Sequence, residues 1–250
     1  MARGLKGDTP GAMANRFSFP RIPLVHYWSS QRGLAALLVS LGLLIFVFLP
    51  LEMSGLIGPL WMFAMDVWMA GVILAGASAL GWRRVQRGIL VFGLVLLVAM
   101  LALRFLARGF PVRWTESMAS AVSVVVLSVL VALIVAQVFR NGPTARDRIF
   151  GAVAAYLLLG LNWAEAYRLV DVLVPGSFHG LVWAPGGHNL SSFVYFSLST
   201  LTTAGYGDIV PLTLPARSLA NMESLAGQLF PAILIARLVS MSLASQRPPP

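Results

Sequence analysis

The chain has 250 residues; 58% are hydrophobic and only 11% are charged, and its mean hydropathy is +0.82. Those values lie far outside the range of soluble globular domains, and the absence of cysteine excludes disulfides and thiolate metal sites. The net charge of +9 would suggest a nucleic-acid partner on a soluble protein. Here the basic residues sit in short segments between apolar runs, so membrane topology accounts for them and no nucleic-acid partner is expected.

Residues 1–33 read as a polar amino-terminal tail carrying Arg3, Lys6, Arg16, Arg21 and Arg32. The tail is long for the basic end of a signal peptide, and no small-residue cleavage site follows the apolar run. Phe17–Trp28 mixes aromatics with Arg21 and His26 and suits the membrane interface or a partly disordered tail equally. Leu34–Leu51 is the first apolar span, and its 18 residues are near the minimum for a bilayer core. A Gly/Pro turn over Glu52–Gly58 leads to a second span, Pro59–Leu80, interrupted by Asp66. Gly81–Arg87 is a basic turn, and Gly88–Ala107 is a third span with Arg104 near its end. After a loop over Arg108–Thr115 comes a Val-rich fourth span, Glu116–Phe139. Arg140–Arg148 is a second basic turn, with Asn-Gly-Pro as its breaker. Ile149–Val174 is the fifth span, Pro175–Leu190 a loop with His179 and His188, and Pro215–Leu243 the last span. Residues 244–250 form a short tail.

Six spans place both termini on one side. The tail and both basic turns fall on that side, which the positive-inside rule makes the cytoplasm of a bacterial inner membrane, with anionic lipids as expected partners of the turns. Arg108 and Arg113 face outward in this layout and run against the rule. Arginine far outnumbers lysine, and Ala, Gly and Leu are abundant, which suggests a bacterial source. Asp66 and Arg104 are ionisable residues inside the spans; an unpaired buried charge is costly, so a mutual ion pair is expected.

The stretch Ser191–Pro211, SSFVYFSLSTLTTAGYGDIVP, organises the rest. Ser191–Leu201 is apolar and aromatic, long enough for about three helical turns. The glycines of Thr202–Asp208, TTAGYGD, forbid a simple continuation of that helix. A descending half-helix followed by an extended return fits both halves. A potassium ion leaves water only where oxygens replace its hydration shell. Backbone carbonyls do this if consecutive ones point to one side, and Gly205 and Gly207 permit the backbone angles required. Carbonyls of Thr203, Ala204, Gly205 and Tyr206 then line an axis as potassium sites, with the Thr203 hydroxyl as an inner ring and Asp208 at the outer mouth. The Tyr206 side chain points away and braces the strand. One chain holds one such loop, so three further copies are needed to surround the ion.

TTAGYGD, with Thr200 before it, resembles the filter signature of the tetrameric potassium channels, T-x-x-T-x-G-Y-G-D, at each fixed position. Ala204 stands where Val or Ile is usual. Tyr195-Phe196 sits where that family's pore helix carries paired aromatics. The resemblance implies an all-α membrane protein of six transmembrane helices, with a re-entrant pore helix and selectivity-filter loop between the fifth and sixth. Residues 34–140 form a peripheral four-helix unit, degenerate and voltage-sensor-like in layout, and residues 141–243 the pore domain. The function implied is a homotetrameric potassium channel that conducts passively. It is not an enzyme and needs no cofactor, potassium being the permeant species.

The fourth span departs from the voltage-gated pattern. Steep gating needs several basic residues there, each contributing about 2.3 kcal/mol per 100 mV, and TESMASAVSVVVLSVLVALIVAQVF contains none. Weak voltage dependence at most is expected.

In the pore unit, Glu165, Arg168 and Asp171 share a helical face. Glu165 or Glu223 is placed to hydrogen-bond behind the filter, with Thr202, Tyr195, Phe196 and Asp208 as further support. Gly227, four residues before Pro231, suits either a gating hinge, as in the resembled family, or a static kink. Arg237 is placed to snorkel to lipid phosphates. His179 and His188 suit a sensor of external pH or plain solvated loops. The alternatives are a non-conducting regulatory subunit and a weakly selective cation channel. An intramembrane enzyme or transporter lacks support, since no H-E-x-x-H spacing and no related halves appear.

Overall fold

The computed structural model describes residues 24–53, 95, 112–139, 145–181, 183–184, 187–188 and 190–245. In chain order these form α1 (Leu24–Leu43), a π-helical turn (Leu44–Phe48) and α2 (Leu49–Met53), then α3 (Val112–Val138) and α4 (Ala145–Leu173). There follow β1 (Phe178–His179), β2 (Trp183–Ala184), β3 (Gly187–His188), α5 (Leu190–Leu201), β4 (Val210–Pro211) and α6 (Leu214–Ser245). Among the described residues four helical segments are long and apolar enough to cross a membrane: Leu34–Leu51, Ser117–Val138, Arg146–Leu173 and Leu214–Arg237. They coincide with the first, fourth, fifth and last spans expected from sequence. The second and third spans, and with them Asp66 and Arg104, lie outside the described residues.

Two boundaries differ from expectation. The first helix starts at Leu24, ten residues before the apolar run, so part of the expected tail is helical. The fifth helix starts at Ala145, which moves Arg146 and Arg148 out of the basic turn and into its first turn. Asp147 beside them favours a helix amino-terminus through the dipole. The π turn has a local cause. Pro50 cannot donate to the carbonyl four residues back, and one residue earlier the Leu49 N–H bonds to Leu44 five residues back, so the ladder slips by one.

Helix α4 is the hub: α3 packs along it most extensively, and α1, α5 and α6 also contact it. The core runs from Leu37, Leu41 and Leu44 through Leu127 and Ile134 to Leu158 and Leu161, ending in an aromatic cluster at Tyr167, Phe178, Phe193 and Phe196. Ser128 on α3 donates to Asn162 of α4 at 3.2 Å, a polar tie between two apolar helices. The outward faces of the long helices are apolar, with Phe46, Val125, Val129, Ile149, Leu225, Leu229 and Val239 exposed. Such faces match lipid or other helices, not water. The loop after α4 is more ordered than sequence suggests. Phe178–His179 pairs antiparallel with Val210–Pro211, and Trp183–Ala184 pairs with Gly187–His188.

Candidate functional site

Helix α5 ends at Leu201, and the chain turns back along it. The turn is held by backbone donors. Thr202 N–H bonds to Leu198 O at 3.0 Å and Thr203 N–H to Thr200 O at 3.0 Å. Ala204 and Gly205 both donate to Ser199 O, at 2.8 and 3.2 Å, and Tyr206 N–H reaches Ser199 Oγ at 3.4 Å. Five successive amides are thus turned onto the helix. Among the described residues no donor reaches the carbonyls of residues 203–207. The φ angles are +59° at Thr203, +57° at Gly205 and +80° at Gly207, alternating with ordinary values at Ala204 and Tyr206. Gly takes such angles freely; Thr203 does so at a cost of about 1–2 kcal/mol, and strained backbone of this kind collects at functional sites. Residues 202–208 are all exposed.

Of the side chains expected to support this segment, Tyr195 packs directly against it. The Tyr206 ring stacks on Tyr195 at 6.0 Å and 8°, so it does lean on the helix. A side-chain hydrogen bond from Tyr195 to the Asp208 carboxylate pushes the phenol above its ordinary value, which keeps the donating O–H in place. Asp208 also accepts from Ile209 N–H at 3.0 Å. The Thr202 hydroxyl donates to Leu198 O at 2.7 Å and closes the end of α5. Phe196 is buried edge-on to Tyr167 at 4.9 Å and Phe178 at 5.5 Å.

Behind α5 lies a polar knot. Glu223 on α6 is fully buried and accepts short hydrogen bonds from Tyr167 on α4 and Ser197 on α5. The Ser197 hydroxyl also lies 2.7 Å from Gly160 O of α4. One carboxyl therefore joins the three helices of this unit. Of the two glutamates expected to support a filter, Glu223 reaches α5, and Glu165 instead faces Arg168 at 3.9 Å.

At Gly227 α6 packs tightly on the end of α5: a Cβ there would overlap the Leu201 carbonyl. That carbonyl also accepts the Tyr156 hydroxyl at 3.1 Å. Helix α6 continues through Gly227 and Pro231 to Ser245, so close packing is what the glycine provides here. On the other side the segment is clipped to the loop after α4. Leu212 N–H bonds to Ser177 O at 2.8 Å, and Thr213 Oγ1 lies 3.0 Å from Ser177 Oγ. A Cβ at Gly180, φ +85°, would strike the Asp208 carbonyl. His179 is exposed on β1, one strand pairing from Val210; His188 is on β3.

Sequence reasoning missed Tyr167, Ser197, Ser199, Tyr156 and Gly180. Their signal is a hydroxyl or a glycine in an apolar context, which becomes specific only once a distant partner is known.

Residues 167–243 match the family model described as "Ion channel". The chain is also similar to Protein LctB of Bacillus caldotenax, 28% identical over 126 residues, covering 47% of this chain and 90% of that protein. Protein LctB of Geobacillus stearothermophilus is 28% identical over 121 residues, with the same coverage. No solved structure matches the chain. The family match begins at Tyr167 of the aromatic cluster, takes in Thr202–Asp208 and ends on α6, so this stretch is similar to that family.

Proposed function

We propose that the chain is the subunit of a homotetrameric, potassium-selective channel of a bacterial inner membrane, with both termini cytoplasmic. Four copies bring four Thr203–Gly207 segments around one axis. Carbonyls of Thr203, Ala204, Gly205 and Tyr206, with the Thr203 hydroxyl, replace the hydration shell of the ion. Asp208 sits at the outer mouth. Tyr195, Phe196, Thr202 and Glu223 hold the filter in shape from behind.

One observation carries this reading. The amides of Thr202–Tyr206 are consumed by α5 while the carbonyls of residues 203–207 have no donor among the described residues. Carbonyls left unpaired within a membrane are costly unless they face water or a cation. Alternating left- and right-handed backbone turns successive carbonyls to the same side, and the φ values at Thr203, Gly205 and Gly207 follow that alternation. Conduction is passive, and the apolar fourth span gives no voltage sensor.

The test is ion flux from potassium-loaded liposomes holding the full chain. Wild-type protein releases potassium and rubidium downhill with no energy source. Gly205→Asp, which puts a side chain and a charge at φ +57°, abolishes release. No release from a confirmed wild-type tetramer would instead favour a non-conducting subunit.

A further inference from the structure

The loop after α4 meets the end of the filter segment at Gly180. This residue sits at φ +85°, and a Cβ there would lie 1.9 Å from the Asp208 carbonyl oxygen, 3.0 Å from its carbon and 3.2 Å from the Ile209 Cα. All three are backbone atoms, so no side chain can swing aside. Ordinary contact begins near 3.4 Å, and a side chain at 180 therefore moves one backbone or the other by about 1.5 Å. Gly176, in the same loop, has nearly the same φ of +79° and nothing within 4 Å. The two glycines share a backbone conformation, and of the two only Gly180 lies against the filter segment.

The loop has little freedom to retreat. Two residues before Gly180, Phe178 is buried edge-on to Tyr167, Phe193 and Phe196, with ring centroids 5.5, 5.6 and 5.5 Å away. Ser177 is also buried and donates to Val174 O at 2.6 Å. The chain after Asp208 is tied to this same loop: β4 pairs with β1, Leu212 N–H bonds to Ser177 O, and the Thr213 hydroxyl bonds to Ser177 Oγ. The chain before Asp208 is Gly207, exposed, at φ +80° and with nothing within 4 Å of its Cβ position. A push on the Asp208 carbonyl is therefore taken up at Gly207, where the backbone turns most freely, and passes on to the Tyr206 carbonyl.

We infer that Gly180 is a positioning residue for ion selection. Its missing side chain seats the loop against the Asp208 peptide, and that seat fixes the outermost carbonyls of the filter, as α5 fixes the inner ones through their amides. The inference rests on the potassium reading proposed above. Whether a filter selects by cage size or by the number and field of its carbonyls, a displaced outer carbonyl lowers its discrimination.

The test is the ratio of rubidium to sodium uptake by liposomes holding the full-length tetramer, for wild type, Gly180→Ala and Gly176→Ala. Both alanines are strained in a left-handed backbone, but only the one at 180 meets Asp208. Wild type is expected to prefer rubidium. Gly180→Ala lowers the ratio about ten-fold, a change of about 1.4 kcal/mol in relative affinity, and Gly176→Ala leaves it unchanged. Should Gly180→Ala not assemble, Thr213→Val loosens the same seat by removing the bond to Ser177, and lowers the ratio about three-fold; an unchanged ratio there overturns the inference. A selective wild type with the same ratio in Gly180→Ala and Gly176→Ala overturns the inference alone. A wild type that takes up rubidium and sodium equally contradicts the potassium reading beneath it.

Discussion

Glu223 shows how one residue ties the site to its scaffold. It is a carboxyl with no exposed surface, and its partners come from two other helices, Tyr167 and Ser197. Buried polar groups of this kind are stabilising only while every partner is present. Tyr167→Phe leaves one carboxyl oxygen without its donor and is expected to cost about 1–3 kcal/mol of stability. Glu223→Gln keeps an acceptor for the tyrosine and is expected to cost less than Glu223→Leu, which orphans the Tyr167 hydroxyl and leaves Ser197 only the Gly160 carbonyl. Thermal unfolding of the full-length protein in detergent ranks the three variants. A Tyr167→Phe protein as stable as wild type would mean that the Tyr167–Glu223 bond does not tie α4 to α6. The unusual backbone at Gly205 and Gly207 was legible because glycine has a backbone meaning by itself. Tyr167 and Ser197 were not, because a hydroxyl in an apolar helix acquires its role only from a partner 26 or 56 residues away.

At the scale of elements, hydrophobic runs located the four described spans, since bilayer thickness fixes their length. The ends were less legible. Arg146 and Arg148 look like loop residues by charge, yet they belong to α4, because a helix continues past the apolar slab wherever its backbone bonds and dipole allow. The clip between Phe178–His179 and Val210–Pro211 has no local sequence signal either, being two residues on each side of the filter. Helix α3 carries the clearest functional statement of any element: Ser117–Val138 contains no basic residue. Moving charge through the field is what makes opening voltage-dependent, at about 2.3 kcal/mol per charge per 100 mV. Open probability in planar bilayers is therefore expected to stay flat between about −100 and +100 mV, with no gating charge to supply that energy. A steep sigmoidal rise over that range would place a sensor elsewhere in the chain.

For the whole molecule, the described helices form a hub around α4 with the filter segment exposed at one side and apolar faces turned outward. The segment's amides are bonded to α5, while its carbonyls at residues 203–207 meet no donor among the described residues. In the proposed tetramer those carbonyls converge on one axis. Sequence reading located four of the six expected spans and the short helix before Thr202–Asp208, while the second and third expected spans lie outside the described residues. The central claim is that those carbonyls select potassium. The most direct measurement is the reversal potential of the purified protein in a planar bilayer, with potassium on one side and an equal concentration of sodium on the other. The account predicts a large reversal potential of the sign that marks potassium as the permeant ion. A reversal potential near zero would contradict it, showing that the pore admits sodium as readily as potassium.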